Sequence, residues 1–253
     1  MRASVPESRL PVHEAARLWT VACASADPEA TFRSLEARRL GGRPLQYLEG
    51  SAAFGPLELV VDDRVLIPRP ETEQLWELAT GLVMSPSTIV DLGTGSGALA
   101  LALKADHPDA HVIGVDLSPD ALDVARLNGA RLGIEVEWRH GDLWEALDRD
   151  LEGRVDLVVS NPPYVAVHEW EELPADVRQE PREALVAGPT GLEVLERIVA
   201  GAERWMAPGG GVACEIGETQ GRACRGLFST ALAEVEIMTD LTGRDRFVVG
   251  RRR

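Results

Sequence analysis

Helical spacing governs the start of the chain. Residues 12–24 place Ala15, Leu18, Trp19 and Ala22 three and four positions apart, which predicts an amphipathic helix. Asp27-Pro28 reads as an N-cap with proline at the first helical position. A second helix then runs through Phe32, Leu35 and Leu40 and stops at Gly41-Gly42. Two short helices bury too little to form a core of their own, so residues 1–43 are expected to be a helical appendage. Strand spacing takes over next. Ala52-Ala53-Phe54 and residues 57–61 flank Gly55-Pro56, the signature of a β-hairpin. The prolines of Ile67-Pro68-Arg69-Pro70-Glu71-Thr72-Glu73 hold the following segment extended, which makes residues 44–72 a hairpin and linker. Thr72 is placed to cap a helix over 73–83.

From Thr88 onward short apolar runs alternate with helical patterns, which predicts an α/β domain over 73–253: a Rossmann-like parallel sheet with helices on both faces. Strands are expected at Thr88–Leu92, His111–Asp116, 134–138, Val155–Ser160 and 212–216, with 235–238 and 246–249 pairing as the last two. Helices are expected from Ala98 to 105, after the Ser118-Pro119 cap, over 191–205 ahead of Pro208-Gly209-Gly210-Gly211, and closing across 228–232.

Composition narrows the partners. With 253 residues, 45% of them hydrophobic, and a mean hydropathy of −0.08, the chain is long enough for a sizeable core and ordinary for a soluble protein. The formal net charge is −15, and residues 1–66 hold 8 basic and 9 acidic side chains, so the acidic excess sits on the later part. Nucleic-acid binding through phosphate neutralisation wants the opposite sign, and no direct nucleic-acid binding is expected. Cys23, Cys214 and Cys224 form no CxxC pair and have no His at metal spacing, so reduced thiols and no metal are expected. The stretch Met1-Arg2-Ala3-Ser4-Val5-Pro6-Glu7 lacks the apolar core of a signal peptide. No apolar run approaches the ~18–20 residues of a membrane span. A cytoplasmic location without a membrane partner is therefore expected.

Candidate chemistry concentrates at strand ends. Asn161-Pro162-Pro163-Tyr164 follows the buried-looking run Val155–Ser160, and the prolines stop that strand because neither donates a backbone hydrogen bond. Asn161 is thereby left at the carboxyl end of a strand, where open α/β sheets bind ligands. Its amide oxygen and the Pro162 carbonyl are two acceptors side by side, suited to an NH2 group whose nitrogen is attacked, and Tyr164 offers a flat face for a planar amide or base. A plain strand-to-loop turn is the other reading of this tetrapeptide. Gly93-Thr94-Gly95-Ser96-Gly97 forms a second candidate site between strand and helix, where glycines let backbone approach a ligand. Asp116, 19 residues after Gly97, suits both hydroxyls of a ribose, and Leu117 beside it belongs to the same site. Asp142 is placed to accept from an adenine amino group, with Leu143 packing on the ring; a simple helix cap is the alternative for Asp142, and a solvated strand end for Asp116. The GxGxG spacing after an acid, Asp91, favours S-adenosylmethionine over a dinucleotide, because a pyrophosphate disfavours nearby carboxylates. None of His13, His107, His111, His140 and His168 lies in a motif.

Ile67-Pro68-Arg69-Pro70-Glu71-Thr72-Glu73, Asp91-Leu92-Gly93-Thr94-Gly95-Ser96-Gly97 and Ser160-Asn161-Pro162-Pro163-Tyr164 together resemble the HemK-type protein-(glutamine-N5) methyltransferases. Arg178-Gln179-Glu180-Pro181-Arg182-Glu183-Ala184-Leu185 and Leu241-Thr242-Gly243-Arg244-Asp245-Arg246 resemble segments of the subgroup that modifies peptide chain release factors, as does Pro-Arg-Pro in place of the Pro-Arg-Ser of a sister group acting on a ribosomal protein. The resemblance runs from about Gly42 to the C-terminus; the helical region before it is shorter than is usual, and the turn at Phe54-Gly55-Pro56 differs slightly. It implies a class I methyltransferase fold, S-adenosylmethionine as cofactor, a release factor as partner, docking of that partner by the N-terminal helices, and methylation of the glutamine in a Gly-Gly-Gln loop. Asn161, Pro162, Pro163 and Tyr164 would hold the acceptor. Asn-Pro-Pro-Tyr is shared with enzymes that methylate adenine N6 in nucleic acids, so a nucleic-acid methyltransferase acting on adenine N6 or guanine N2 is the alternative, and a cofactor-binding protein without catalysis is a third reading.

Overall fold

The computed structural model describes residues 5–253; Met1 to Ser4, the start of the segment read above for a leader, lie outside the described residues. Helices α1 (Val12–Ala22) and α2 (Pro28–Leu40) form as their spacing predicts. Asp27 caps α2 by accepting from the Ala30 N–H at 3.1 Å. A third helix, α3 (Leu45–Glu49), was not expected. It forms because Leu45 and Leu48 complete a small cluster with Leu18, Phe32 and Leu35, and Gly50 ends it in the left-handed region at φ 75°.

Strands β1 (Ser51–Phe54) and β2 (Leu57–Val60) are the anticipated hairpin. Helix α4 (Pro70–Leu82) begins earlier than the expected start at Glu73. Pro70 suits the first helical position, where no N–H is needed. Thr72 therefore lies inside the first turn and is not a cap; its side chain is buried and engaged elsewhere.

The remaining elements are β3 (Thr88–Leu92), α5 (Ala98–Asp106), β4 (His111–Asp116), α6 (Pro119–Leu132), β5 (Glu137–His140), β6 (Val155–Ser160), β7 (Val165–Ala166), β8 (Val186–Gly188), α7 (Glu193–Trp205), β9 (Met206–Glu215), α8 (Gly221–Phe228), β10 (Leu232–Thr239) and β11 (Asp245–Arg252). Seven strands form one sheet in the order β10-β11-β9-β6-β3-β4-β5. Only β11 runs against the rest, pairing antiparallel with both β10 and β9. The chain leaves β3 for β4 on one side and later returns to β6 on the other, so the sheet's topological switch lies between β3 and β6, where ligands of open α/β sheets bind.

Three expected boundaries move. The third strand of the sheet is Glu137–His140, not 134–138, because the Ile134 N–H still closes α6 on the Gly129 carbonyl at 3.0 Å. The last helix ends at Phe228, and Leu232 already pairs with Arg252 in β10. Strand β9 runs through Pro208-Gly209-Gly210-Gly211, with an irregularity in its pairing to β6 between Val155 and Leu157.

Alternation along the strands assigns the two faces. Val90, Val158, Val212 and Cys214 point to the layer of α7 and α8, whereas Ile89, Leu157, Val159 and Ala213 point to that of α4 and α5. A hairpin-side cluster of Tyr47, Val61, Val65 and Ile67 packs on Ala121 and Val124 of α6, which fixes the hairpin and linker to the sheet domain. Among the described residues no helix is long and apolar enough to cross a membrane.

Candidate active site

The glycine turn is built by its backbone. The N–H groups of Gly93 and Thr94 both donate to the Val115 carbonyl, at 2.8 and 2.9 Å, which holds the turn against the end of β4. At Gly97 the backbone has φ 85°, and a Cβ there would stand 2.8 Å from the Trp138 ring. Only glycine meets both conditions.

Two acids flank the turn. Asp116 accepts the Gly95 N–H at 2.8 Å on one oxygen and the Ser118 N–H at 2.9 Å on the other, leaving further lone pairs on both. Burial raises its pKa and those backbone bonds oppose the rise. Asp91 is fully inside; it accepts the Thr94 hydroxyl at 2.6 Å and the Ala100 N–H at 3.2 Å, while its Oδ1 has no partner. Burial, with a contribution from Asp116, pushes the Asp91 carboxyl up to about 7 against those two hydrogen bonds.

A cavity of about 720 Å³ opens beside the turn, and Gly93, Thr94, Gly95, Ser96, Asp116, Leu117, Asp142, Leu143, Asn161, Pro162 and Pro163 all line it. Gly97 and Tyr164 are not among its lining residues. Leu117 is well exposed. Leu143 adopts φ 50°, a left-handed conformation that an L side chain resists. Asp142 makes no capping bond; its carboxylate is ion-paired to Arg197 of α7 at 2.7 Å.

The acceptor end is organised by residues far apart in the chain. Ser160 donates to the Leu92 carbonyl at 2.5 Å and locks the end of β6 to β3. The Asn161 Nδ2 donates to Thr72 Oγ1 at 2.9 Å. Thr72 in turn donates to Glu215 Oε2 at 2.8 Å, and the Tyr164 hydroxyl donates to Glu215 Oε1 at 3.2 Å. Glu215 is 1% exposed, and burial pushes its carboxyl up to about 7 despite the Thr72 bond and the nearby Arg246. Burial also raises the Tyr164 phenol above its ordinary value. No hydrogen bond from the described residues reaches Asn161 Oδ1 or the Pro162 carbonyl. Both acceptors of the sequence reading are thus unengaged, while Tyr164 braces the loop through its hydroxyl.

The chain after Tyr164 folds back over the cavity. β7 pairs in parallel with β8, an arrangement the sequence did not suggest, and Pro181, Ala184, Val186 and Ala187 become cavity wall. Glu180, 5% exposed, accepts the Ile67 N–H at 2.9 Å and is ion-paired to Arg69. Sequence reasoning also missed Asn128, which accepts the Val60 N–H at 2.7 Å and donates to the carbonyls of Val60 and Ser96, tying the hairpin to the glycine turn. Thr72 and Glu215 were missed as site residues as well. The available signals were a lone acid ending the apolar run Val212-Ala213-Cys214 and an asparagine on the buried stripe of α6.

A Rossmann-like sheet with one reversed strand, a glycine turn at its switch point and an acid ending the neighbouring strand define a class I methyltransferase. The Methyltransferase small domain family matches residues 77–188. The release factor glutamine methyltransferase of Xylella fastidiosa (strain 9a5c) is 44% identical over 225 residues, covering 87% of this chain and 81% of its own length. That of Mycolicibacterium smegmatis is 46% identical over 232 residues, covering 89% and 82%. A methyltransferase structure from Pyrococcus furiosus shares the fold at a TM-score of 0.58 and 15% identity, covering 85% of this chain and 96% of that one. The chain belongs to the release factor glutamine methyltransferase family.

Proposed function

We infer that the protein transfers the methyl group of S-adenosylmethionine to the side-chain amide nitrogen of the glutamine in the Gly-Gly-Gln loop of a peptide chain release factor. The observation that carries this reading is the pair of unengaged acceptors, Asn161 Oδ1 and the Pro162 carbonyl, at the edge of a cavity whose acids suit a nucleoside with a positive charge. Asp116 keeps lone pairs for two ribose hydroxyls, and the unpartnered Asp91 oxygen beside the glycine turn suits a cation and disfavours a pyrophosphate.

When bound, the cofactor supplies an electrophilic methyl group on a positively charged sulfur. The residues present do the rest by position. An amide nitrogen is a weak nucleophile because its lone pair is delocalised into the carbonyl. Asn161 Oδ1 and the Pro162 carbonyl would accept from its two N–H groups and so fix where that nitrogen stands and which way its lone pair faces. The same two dipoles favour the charge that nitrogen gains as the bond forms. The spare proton leaves after transfer, so no strong base is needed at the nitrogen.

Transfer of labelled methyl to a purified release factor tests the reading, beside a variant factor with the loop glutamine changed to alanine, bulk DNA and ribosomal RNA. Label on the wild-type factor alone is expected. Label on nucleic acid would replace the protein substrate with an exocyclic base amine, a reading that the net charge of −15 disfavours.

A further inference from the structure

An asparagine side chain has two ends of nearly equal shape and opposite polarity. Only one of them can accept from a substrate N–H, so something must decide which end faces the cavity. Among the described residues the Asn161 amide group makes one hydrogen bond, its Nδ2 donating to Thr72 Oγ1 at 2.9 Å. A hydroxyl has a single proton. In Thr72 that proton goes to Glu215 Oε2 at 2.8 Å, and an ionised carboxylate can only accept. The Thr72 oxygen is therefore left as an acceptor, and it can pair only with the NH2 end of Asn161.

We propose that Thr72 and Glu215 are positioning residues that set the direction of the Asn161 amide, so that its oxygen and not its nitrogen meets the acceptor nitrogen of the substrate. This rests on the reading that Asn161 holds an amide NH2 group. The direction runs from β9 through the first turn of α4 to the end of β6, three elements brought together by the sheet. The second carboxylate oxygen of Glu215 takes the Tyr164 hydroxyl at 3.2 Å, so the same acid braces the loop at its other end.

The arrangement depends on the charge of Glu215. A neutral carboxyl can donate to Thr72, which frees the threonine proton to turn towards Asn161 and lets the amide reverse. Its NH2 would then oppose the substrate's N–H. The groups facing Glu215 are Thr72 and Glu71 of α4, Tyr164 of the loop after β6, and Arg246 of β11, itself 3.6 Å from Asp240. Desolvation holds the Glu215 carboxyl near 7, so the acid limb of the rate should fall there.

Thr72→Val removes the hydroxyl with little change of shape, Glu215→Gln removes the titrating charge while keeping one accepting oxygen for Thr72, and Thr72→Ser restores the hydroxyl. Three quantities are measured for each: kcat for methyl transfer to a release factor from pH 6 to 9, cofactor affinity by calorimetry, and the side-chain amide cross-peaks of Asn161 by nuclear magnetic resonance without substrate. Thr72→Val is expected to lower kcat roughly 100-fold at pH 8, the low end of the range seen for a lost oriented donor. Cofactor affinity should stay within about threefold, because neither the Thr72 nor the Glu215 change removes a hydrogen bond of the glycine turn or of Asp116. The Asn161 cross-peaks should shift, Thr72→Ser should recover most of the rate, and Glu215→Gln should lack the acid limb near pH 7. Unshifted Asn161 cross-peaks in Thr72→Val would overturn the proposal, as would an unchanged kcat in that variant. A wild-type protein that labels no release factor would sink the substrate reading instead, and the cross-peaks would still decide whether Thr72 and Glu215 orient Asn161.

Discussion

Glu180 and Arg69 stand 111 positions apart and form one ion pair, with the Glu180 carboxylate also accepting the Ile67 N–H at 2.9 Å. The pair joins two of the motifs by which the chain resembles its family, Ile67-Pro68-Arg69-Pro70 and Gln179-Glu180-Pro181. Burial raises the Glu180 pKa, and Arg69 is the first of the groups that resist the rise. Arg69→Ala would leave a nearly buried carboxylate without its cation. A loss of roughly 2 kcal/mol is expected. That is about 4–8 °C in Tm for a domain of this size, and Glu180→Gln in the Arg69→Ala background should recover part of it. Thermal denaturation of the three variants checks both statements.

Asn161→Ala removes one of the two acceptors aimed at the reacting nitrogen while leaving the glycine turn and Asp116 intact. Methyl transfer should fall roughly 10²- to 10³-fold. Cofactor affinity should stay within a few-fold, and calorimetry beside a single-turnover assay measures both. An equal loss of affinity and rate would make Asn161 a structural residue.

Asp91 gives a pH dependence with a definite sign. Its carboxyl is held near 7 inside the protein, above the ordinary carboxylate range that it has when unfolded. Between about pH 4 and 7 the folded state binds more protons than the unfolded state, so this group's contribution to stability declines as pH rises and is lost above 7. Asp91→Asn carries no such charge. Its Tm relative to wild type, without cofactor, should be higher at pH 8 than at pH 5 by roughly 5 °C. Scanning calorimetry at the two values checks this; equal differences would show that the ionised acid is not destabilising.

Gly97→Ala combines a left-handed backbone at φ 85° with a Cβ 2.8 Å from the Trp138 ring. The conformation alone costs about 1–2 kcal/mol for an L side chain, and the close approach adds to it. A Tm drop of roughly 5–10 °C is expected, with weaker cofactor binding because the same turn forms the cavity edge. Gly95→Ala has no atom within 4 Å of the added Cβ and should be the milder change despite φ 55°.

Much of this protein was settled by the sequence itself, because the governing interactions are local. The short apolar runs of Thr88–Leu92, His111–Asp116 and Val155–Ser160 placed three parallel strands, and Gly93-Thr94-Gly95-Ser96-Gly97 and Asn161-Pro162-Pro163-Tyr164 marked where strands end and ligands reach the sheet. Backbone sterics act within a few residues, so glycine and proline announce turns without help from the rest of the chain. Helix α3, the shifted β5 and the β7–β8 pair were not legible, since each depends on a distant partner: the small N-terminal cluster, the closing bond of α6, and the return of the chain across the cavity. Thr72 looked like a helix cap because its neighbours suit one. Only the sheet, by placing the end of β9 beside the start of α4 and the end of β6, turned its hydroxyl between Glu215 and Asn161. A hydrogen bond's direction is set by both of its ends, and here those ends lie 143 and 89 positions from Thr72 along the chain.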